Sequence, residues 1–498
     1  MTKKDIVTEL EPLFYPRGVA IVGASKSLIK IGTMTLLSII VGGFEGGIYP
    51  VNRKGGKILG VDVFKDFKSL PDDADLLVVC VPAAAVPQVM EDGIDAGIGA
   101  AVIISSGFAE AGEEGKKLED EVVRVARNGG IRFVGPNCMG ICSSPVKLYP
   151  LMNMMMPLPG DISFVSQSGT LGTINMLMAS NHGIGFNKFV SSGNEADLKA
   201  EDLIEYYAKD QDSKIILSFI EGLRKGRKFF EVSKEATKKK PLIMLKAGVT
   251  KEGAKAANSH TGSLAGSVLI NDVAFRQAGV VKASNGTEML ELVKAFSLLP
   301  IPKGNRVGIV TGGGGAGVLA ADACGKMGLE VPHLPQEMID ELSEFLPPFW
   351  SHGNPIDITA SGGIGGGGSG GADFSVMTKC LEALMECDEI DSVICQGINF
   401  SDMMDTVVSN FPEKFQKMLK SFTGAISPME IKMNNELIAI KKKYGKPIVL
   451  MGMYESLPKS AKQLEEHGII MYSEPDLAAT TLSKLAWYGN YLKENCRH

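Results

Sequence analysis

The sequence predicts an α/β protein with three consecutive doubly wound domains. Apolar strand-like runs alternate with amphipathic helical segments along the chain, a pattern typical of parallel sheets that are covered on both faces. Glycine accounts for 58 of the 498 residues, against an average usage of roughly 7%. An ordered chain so rich in glycine needs many tight strand-to-helix turns. The length fits about three domains of roughly 150 residues each.

Composition and charge exclude several classes of protein. The net charge of −6 and the thinly spread aromatic residues, 7% of the chain, argue against a nucleic-acid binder. No apolar run reaches the roughly 20 residues of a membrane-spanning helix, and the charged start MTKKDIVTELEP has no secretory signal pattern. The eight cysteines form no C-x-x-C and the histidines no H-x-x-x-H. We therefore expect a cytoplasmic protein with reduced, buried thiols, no metal site, and no nucleic-acid or membrane partner.

The first predicted domain covers residues 1–145. Its buried strands are the runs GVAIVGAS, GGIYPVN, ADLLVVCVP, GAAVIISSGF and IRFVGPN. The turn at 20–32 lacks G-x-G-x-x-G, and Asn52 ends the second strand where an NAD site needs an acid. Arg53 and Lys54 follow, so this Rossmann-like domain is expected to bind a phosphate-bearing ligand other than NAD. The alternative is a plain tight turn with basic residues on the surface.

The second predicted domain covers residues 158–297 and follows a Pro- and Met-rich connection at 144–160. In the run SFVSQSGT, a strand leads through Ser166, Ser168 and Gly169 into a helix. Free amides and hydroxyls at a helix N-terminus bind anions, and SSGN at 191–194 ends another strand of the same domain. The two loops predict one phosphate or carboxylate pocket at the carboxyl edge of the sheet, with simple helix capping as the alternative.

A histidine in the same domain is the candidate catalytic residue. His260 lies in AGVTKEGAKAANSHTGSLAGS, among small residues that allow a backbone to approach a ligand closely. An imidazole in such a segment can act as a base or accept a phosphoryl group. Glu221 ends the strand SFIEG, at the edge expected to face this histidine, and a neighbouring carboxylate fixes the tautomer of a histidine. A solvated acid at a strand end is the alternative for Glu221.

The third predicted domain covers residues 304–498, after the connection LPIPKGNR. Gly312, Gly314 and Gly317 satisfy G-x-G-x-x-G after a strand, and Glu330 stands about where a ribose-binding acid is expected. A dinucleotide-dependent oxidoreductase is therefore an alternative, although one motif match is weak in a glycine-rich chain. The glycine-rich run at 361–371 predicts a solvated insertion, with a mobile lid or docking loop as the second interpretation.

Several motifs together are far more specific than any one glycine loop. The chain resembles the α subunit of the NDP-forming acyl-CoA synthetase family, within the succinyl-CoA synthetase superfamily, and most of all the acetate–CoA ligase (ADP-forming) group. The matching stretches are YPRGVAIVGAS, YPVNRKGG, SSGFAEAGEEG, GPNCMGI, FVSQSGTLG, SSGNEADL, IEGLRKGRKF, NSHTGSLAGS, AFRQAGV and NPIDIT. The resemblance implies a Rossmann-like CoA-binding domain followed by two flavodoxin-like domains.

The resemblance also assigns roles to residues. It places the phosphorylated histidine on His260 and the glutamate that steadies it on Glu221. It implies a phosphate site at Ser166, Gln167, Ser168, Gly169, Thr170, Thr261 and Gly262. It implies CoA contacts at Gly23, Ala24, Ser25, Lys26, Lys54, Val81, Pro82, Ile104, Ser105, Ser106 and Asn137.

The implied reaction is reversible: acyl-CoA, phosphate and ADP become a carboxylic acid, CoA and ATP, through an acyl phosphate and a phosphohistidine. Family members bind ADP or ATP with Mg²⁺ on an ATP-grasp module, which we do not recognise in this sequence. We therefore expect a separate ATP-grasp β subunit, a hetero-oligomer and a small carboxylic acid as substrate. A non-catalytic CoA-binding regulatory protein is a further alternative.

Overall fold

The computed structural model describes residues 5–255, 268–358, 375–397, 401, 404, 407–452 and 459–496. The chain forms two compact units, Met1–Leu290 and Glu291–His498. The boundary between them falls inside one helix, Gly286–Leu298.

The first unit begins with a sheet of five parallel strands in the spatial order β2-β1-β5-β6-β7. These strands are β1 (Gly18–Val22), β2 (Gly47–Val51), β5 (Ala74–Val79), β6 (Ala100–Ile103) and β7 (Arg132–Val134). A small antiparallel hairpin of β3 (Lys57–Ile58) and β4 (Val61–Asp62) follows β2. The helices are α1 (Ile6–Glu9), α2 (Glu11–Phe14), α3 (Ile31–Gly42), α4 (Val86–Asp95) and α5 (Glu113–Gly129).

Strand β1 shows why the sequence pattern of this sheet is continuous rather than alternating. All five of its residues are buried. Val19 and Ile21 belong to one apolar cluster, and Ala20 and Val22 belong to another. Since successive side chains of a strand point to opposite faces, both faces of the sheet are covered.

A second sheet of six strands follows, in the order β13-β12-β11-β9-β10-β8. Its strands are β8 (Ile141–Ser143), β9 (Pro159–Ser166), β10 (Phe186–Ser191), β11 (Ile215–Ile220), β12 (Leu242–Lys246) and β13 (Val281–Ala283). Its helices are α6 (Gly169–Asn181), α7 (Ala200–Lys209), α8 (Gly226–Thr237), α9 (Val268–Gln277) and α10 (Gly286–Leu298). Strands β9 to β13 pair in parallel, whereas β8 pairs antiparallel to β10.

The connection between the two sheets is packed against the protein. Strand β8 adds an edge to the second sheet before the Pro- and Met-rich stretch begins, through pairs such as Cys142 with Phe189. Leu148, Tyr149 and Leu151 are buried within that stretch. The first and second sheets are thus joined by ordered structure.

The second unit contains a sheet of five parallel strands in the order β15-β14-β16-β17-β18. They are β14 (Val307–Thr311), β15 (Ile356–Asp357), β16 (Ser392–Gln396), β17 (Ile448–Met451) and β18 (Ile470–Tyr472). The helices are α11 (Gly314–Lys326), α12 (Gln336–Ser343), α13 (Ser375–Glu386), α14 (Glu413–Tyr444), α15 (Lys459–Glu466) and α16 (Pro475–Asn495).

The three sheets share one topology. Counting the five parallel strands of each sheet in chain order gives the spatial order 2-1-3-4-5 three times, which is the flavodoxin-like arrangement. The predicted α/β class with three doubly wound sheets is confirmed. In this arrangement the chain changes direction beside the first strand, so the carboxyl ends of β1, β9 and β14 are where ligands bind.

The helices of the described part of the chain include none that is long and apolar enough to cross a membrane.

Candidate functional site

A cavity of about 520 Å³ lies in the first unit, at the carboxyl ends of the first and second sheets. The residues that line it follow successive strands: Val81 and Pro82 after β5, Ile104–Ser106 after β6, and Asn137 after β7. From the second sheet come Gln167–Thr170 after β9, Gly193 and Asn194 after β10, and Glu221 after β11. Strands of two parallel sheets therefore deliver their terminal loops to one site.

The loops from the first sheet are fixed by backbone contacts. Ser105 is buried, and its Oγ donates a hydrogen bond to the carbonyl of Val81 at 2.6 Å. The Asn137 N–H donates to the Ser105 carbonyl at 2.9 Å. Three consecutive strand ends are thereby tied into a single rim, with a mixed polar and apolar surface of the kind that can accept a long amphipathic ligand.

The first turn of the same sheet lies beside this rim. Gly23 has φ +105°, and a Cβ there would stand 2.1 Å from the Cys80 carbonyl oxygen, so glycine is required at this position. The Ser25 N–H donates to Thr33 Oγ1 at 3.0 Å, and the Thr33 hydroxyl donates back to the Ser25 carbonyl at 2.9 Å. These bonds hold the turn against the start of α3.

The end of β2 carries an amide in place of an acid. Asn52 Nδ2 donates to the Ala24 carbonyl at 3.0 Å, and Asn52 Oδ1 accepts from the Lys54 N–H at 3.0 Å. Asn52 thus fastens the turn rather than offering a carboxylate to a ribose. The Lys26 and Lys54 side chains are exposed beside it, where a phosphate group could reach them from solvent.

The turn between β9 and α6 presents a helix N-terminus to the cavity. Ser168 is the N-cap, and its Oγ accepts a hydrogen bond from the Leu171 N–H at 3.4 Å. Ser166 is fully buried, and its hydroxyl donates to the Ser168 carbonyl at 2.6 Å. Ser166 therefore shapes the turn from within and does not line the cavity, whereas Gln167–Thr170 do. The N-terminus of a helix carries a partial positive charge and N–H groups that attract anions.

Gln167 connects this turn to the end of the neighbouring strand. Its Oε1 accepts from the N–H groups of Glu221 and Gly222, at 2.6 and 3.0 Å. Its Nε2 donates to the Gly222 carbonyl at 2.8 Å. These backbone groups lie just beyond β11, where no neighbouring strand pairs with them, so the Gln167 amide satisfies them.

The loop after β10 touches both halves of the site. Gly193 has φ +59°, and a Cβ there would stand 2.3 Å from the Pro136 carbonyl oxygen. Asn194 Oδ1 accepts from Asn137 Nδ2 at 3.3 Å, and Asn194 Nδ2 donates to Glu119 at 2.9 Å. This loop thus packs against the rim formed by the first sheet while its own strand belongs to the second.

The cavity gathers eleven of the residues that the sequence singled out. They are Val81, Pro82, Ile104, Ser105, Ser106, Asn137, Gln167, Ser168, Gly169, Thr170 and Glu221. Gly23, Ala24, Ser25, Lys26, Lys54 and Ser166 lie outside its lining. His260, Thr261 and Gly262 lie outside the described residues.

Comparison with known proteins agrees with this geometry. The CoA binding domain family matches residues 17–144, the succinyl-CoA ligase like flavodoxin domain family matches 159–296, and the Ligase-CoA domain family matches 307–411. The α subunit of acetate–CoA ligase [ADP-forming] II from Pyrococcus furiosus is 39% identical over 475 residues, covering 94% of this chain and 96% of the relative. The chain belongs to the NDP-forming acyl-CoA synthetase family.

Two further members support the assignment. The α subunit of acetate–CoA ligase [ADP-forming] I from the same organism is 39% identical over 487 residues, covering 96% of this chain and 97% of the relative. A dinucleotide-forming acetyl-coenzyme A synthetase from Ca. Korarchaeum cryptofilum, solved with phosphate and ADP, superposes with a TM-score of 0.83 at 31% identity, covering 98% of this chain and 99% of that one. The resemblance predicted from the sequence motifs is confirmed.

Membership of the acyl-CoA synthetase family does not support the dinucleotide interpretation of the third domain, and the position of Glu330 also argues against it. The Val307 N–H donates to the Glu330 carbonyl at 2.7 Å, which places Glu330 beside the first residue of β14. The glycine turn at 312–317 lies at the other end of that strand. Glu330 is therefore at the wrong edge of the sheet for a ribose. The carboxylate that does lie beside the turn is Asp357, whose Oδ2 is 3.0 Å from the Cβ position of Gly314.

Several residues that line this cavity of the acyl-CoA synthetase family member were not predicted from the sequence. Met139, Met152, Cys80 and Cys138 also line the cavity. Burial raises the pKa of each of the two thiols to about 12, so they are uncharged near neutral pH and act as apolar lining. The sequence signal for Cys138 was its place in GPNCMGI, directly after Asn137.

All eight cysteines are free. Five of them are buried, as expected, whereas Cys80 and Cys387 are half-buried and Cys496 is exposed. Within the described residues there is no group of three or more His, Cys, Asp or Glu side chains that could hold a metal ion.

Proposed function

We propose that this chain is the α subunit of an ADP-forming acyl-CoA synthetase. It interconverts acyl-CoA, phosphate and ADP with a carboxylic acid, CoA and ATP. One observation carries the proposal: the cavity brings the α6 N-terminus, a strand end bearing Glu221, and the 104–106 rim together. Such a site can hold an anion and a thioester side by side.

The 104–106 loop and Asn137 are the proposed contacts for the pantetheine arm of CoA. Their backbone groups and the neighbouring thiol and methionine side chains offer the mixed surface that this arm needs. Lys26 and Lys54, exposed beside the Gly23 turn, are proposed to bind the CoA phosphates. Gly23, Ala24 and Ser25 hold that turn in place.

Phosphate is proposed to bind at Gln167–Thr170. The α6 amides offset its charge, and they also stabilise the negative charge that develops on the thioester carbonyl oxygen when phosphate adds to the carbonyl carbon. A phosphate oxygen attacks the thioester carbonyl, the C–S bond breaks, and CoA leaves as a thiolate that takes up a proton. The product is an acyl phosphate.

His260 is the proposed acceptor for the next step. A ring nitrogen attacks phosphorus, the bond between phosphorus and the acyl oxygen breaks, and the carboxylate leaves. Thr261 and Gly262 are proposed to contact the transferred group. Glu221 is proposed to hold the other ring nitrogen, which fixes the tautomer and stabilises the charged imidazole.

The last step passes the phosphoryl group from His260 to ADP. An oxygen of the ADP β-phosphate attacks phosphorus and the N–P bond breaks, giving ATP. Relatives of this chain are named α subunits, and we propose a separate ATP-grasp β subunit that binds ADP or ATP with Mg²⁺. The acid is proposed to be a small carboxylate and the compartment the cytoplasm.

The test is labelling of the purified chain with radioactive phosphate and a panel of acyl-CoAs. The expected result is acid-labile, alkali-stable phosphate on wild-type protein and none on the His260→Ala variant. Label on His260→Ala would refute the assignment of the residue. CoA binding without label for any acyl-CoA would favour a regulatory protein instead.

A further inference from the structure

We propose that Glu195 is a positioning residue for the phosphate site: its carboxylate holds the Gln167 amide, and Gln167 in turn fixes the strand end that carries Glu221. The inference rests on the proposed function, since it assigns a task within that chemistry. Glu195 does not line the phosphate cavity, so it acts through Gln167 rather than on the substrate.

The contacts of Glu195 form a short chain of hydrogen bonds into the site. Its Oε2 accepts from Gln167 Nε2 at 2.9 Å. Its Oε1 accepts from the Ser192 hydroxyl at 2.9 Å and from the Ala200 N–H at 3.1 Å. All three partners donate, so the ionised carboxylate suits the position.

The orientation of the Gln167 amide is fixed on both of its ends. Its oxygen receives the N–H groups of Glu221 and Gly222, and its nitrogen donates to Glu195 and to the Gly222 carbonyl. A rotation of the amide by 180° would set its NH₂ group against two backbone N–H groups. The Glu195 carboxylate opposes that rotation from the far side.

The backbone and the burial of Glu195 also mark it as a constrained position. Its φ is +57°, a left-handed conformation that side chains other than glycine, asparagine and aspartate rarely adopt. It is only 3% exposed. A left-handed backbone is unfavourable for a glutamate, so the surrounding contacts must hold it in this conformation.

Three charged groups face Glu195 from the elements around it. Burial raises the pKa of Glu195 most, Glu201 on α7 raises it further, and Arg224, in the segment after β11, lowers it. Lys199, just before α7, donates through Nζ to the Glu195 carbonyl at 3.1 Å. The net result is a Glu195 pKa of about 7.

Because the pKa of Glu195 is about 7, the direction in which the labelling rate changes with pH can be predicted. Above about pH 7 the carboxylate is ionised and accepts all three donors. As the pH falls through 7 it takes up a proton and its hold on the Gln167 amide weakens. The labelling rate should therefore fall on the acid side of pH 7.

The first experiment measures the rate at which the full chain is labelled by radioactive phosphate and acyl-CoA, comparing wild type with Glu195→Gln. A glutamine at position 195 has one NH₂ group in place of a carboxylate oxygen. In one orientation this NH₂ faces the NH₂ of Gln167, and in the other it faces the Ala200 N–H, so one donor always meets another donor. We expect a labelling rate lower by about tenfold or more, with an unchanged Kd for CoA.

A double-mutant cycle with Gln167→Ala separates positioning from a general structural role. If Glu195 acts through Gln167, Glu195→Gln should change the rate by less than about twofold in the Gln167→Ala background. If Glu195 only folds its own loop, the two effects will multiply, and the proposal is wrong. The Glu195→Asp variant, which suits a left-handed backbone but is one methylene shorter, should lose the rate as Glu195→Gln does.

Glu201→Gln is the matched control, because it removes a neighbouring buried carboxylate that does not touch Gln167. It should keep the wild-type rate above pH 8 and move the acid limb of the rate profile to lower pH. An acid limb that stays in place in Glu201→Gln would contradict the role of Glu195. A wild-type chain that takes no label would instead refute the proposed function itself.

Discussion

Gly169, the first residue of α6, has little free space around it in the turn after β9. A Cβ at this position would stand 2.1 Å from Cγ of Met139 and 3.0 Å from the Ser191 hydroxyl. Real side chains do not approach so closely, so the turn or Met139 must move if the residue grows. Both lie at the cavity, and a shift of the helix start displaces the α6 amides that are proposed to bind phosphate.

We therefore predict that Gly169→Ala lowers the labelling rate by about 10²-fold, the size expected for a displacement of about 1 Å at a reacting site. The measurement is the single-turnover labelling of the chain by phosphate and acyl-CoA. Gly226→Ala is the control, because Gly226 also begins a helix and a Cβ there meets nothing within 4 Å. A control variant as slow as Gly169→Ala would show that the loss is not local.

Glu221 gives a second prediction at the residue scale. Its backbone is held by Gln167, and its carbonyl accepts from Lys246 Nζ at 2.7 Å, while only 8% of the residue is exposed. Since the backbone contacts do not involve the carboxylate, Glu221→Gln should keep the fold. We expect the labelling rate to fall by about 10²-fold.

The control for Glu221→Gln is Glu231→Gln, which removes an exposed carboxylate paired with Arg227 on α8. An exposed pair of this kind contributes about 0–1 kcal/mol, so neither folding nor labelling should change. Equal labelling by Glu221→Gln and wild type would contradict a role for the Glu221 carboxylate in the transfer to histidine.

Sequence reasoning at this scale found the residues with local signals and missed those that act through tertiary contacts. The turn at 166–170 is visible because serine and glycine stand together between an apolar strand and a helix. Glu195 gives no such signal, since its partner Gln167 lies 28 residues earlier in the chain. Ser166, which the sequence groups with the phosphate ligands, turns inward because its hydroxyl bonds within the turn.

At the scale of elements, a buried ion pair and its hydrogen bonds connect β10 to the end of α7 and to the segment after α2. Lys188 is fully buried, and its Nζ donates to Asp210 at 2.8 Å and to the Tyr15 hydroxyl at 3.0 Å. Asp210 also accepts from Asn187 at 2.9 Å and from the Ser213 hydroxyl. The Lys188 ammonium lies 5.0 Å from the centre of the Tyr15 ring, so the pair joins the N-terminal segment to the second sheet.

Breaking this pair from one side should be costly. Asp210→Asn leaves the Lys188 charge buried without its counter-ion, and we expect a loss of about 3–5 kcal/mol in the free energy of unfolding. The double variant Lys188→Met with Asp210→Asn removes both charges and should lie closer to wild type. Urea unfolding followed by circular dichroism measures both, and a double variant less stable than Asp210→Asn would contradict the assignment.

The elements themselves were predictable where local pattern decides them. The longer strands of the three sheets appear as apolar runs ending in glycine or polar turns, because both faces of each sheet are covered. The short strands β13, β15 and β18 were not predicted. Strand β8 was not predicted: it is three residues long, pairs antiparallel with β10, and makes a further bridge from Ser143 to Leu148. A pairing between segments more than 40 residues apart leaves no mark on the local sequence, so the stretch after it reads as a linker.

At the scale of the whole molecule, three sheets with one strand order place three first strands in equivalent settings. The turns that follow these strands differ. The turn after β1 is fastened by Asn52, the turn after β9 presents the α6 amides, and the turn after β14 lies beside Asp357. The sequence predicted the repeated architecture from its apolar runs, but the best motif match, at Gly312–Gly317, pointed to the wrong chemistry because a motif does not show which sheet edge its acid occupies.

The prediction for the whole chain follows from which steps of the proposed reaction take place on this chain and which need a second subunit. The proposed phosphate site and the proposed rim for CoA both lie in the described part of the chain, and the proposed formation of acyl phosphate uses no other site. Transfer to ADP is assigned to a second subunit. The chain alone, given acyl-CoA and phosphate, should therefore take up at most one phosphoryl group per molecule, on His260, and then stop.

ATP should form continuously only when an ATP-grasp partner, ADP and Mg²⁺ are added to the labelled chain. The measurement follows protein-bound phosphate and ATP in the same time course, before and after the partner is added. When the chain carries His260→Ala, adding the partner should give no ATP, because the variant holds no phosphoryl group to transfer to ADP. Sustained ATP synthesis by the isolated chain would contradict the assignment, since it would require nucleotide to be bound and phosphorylated on this chain itself.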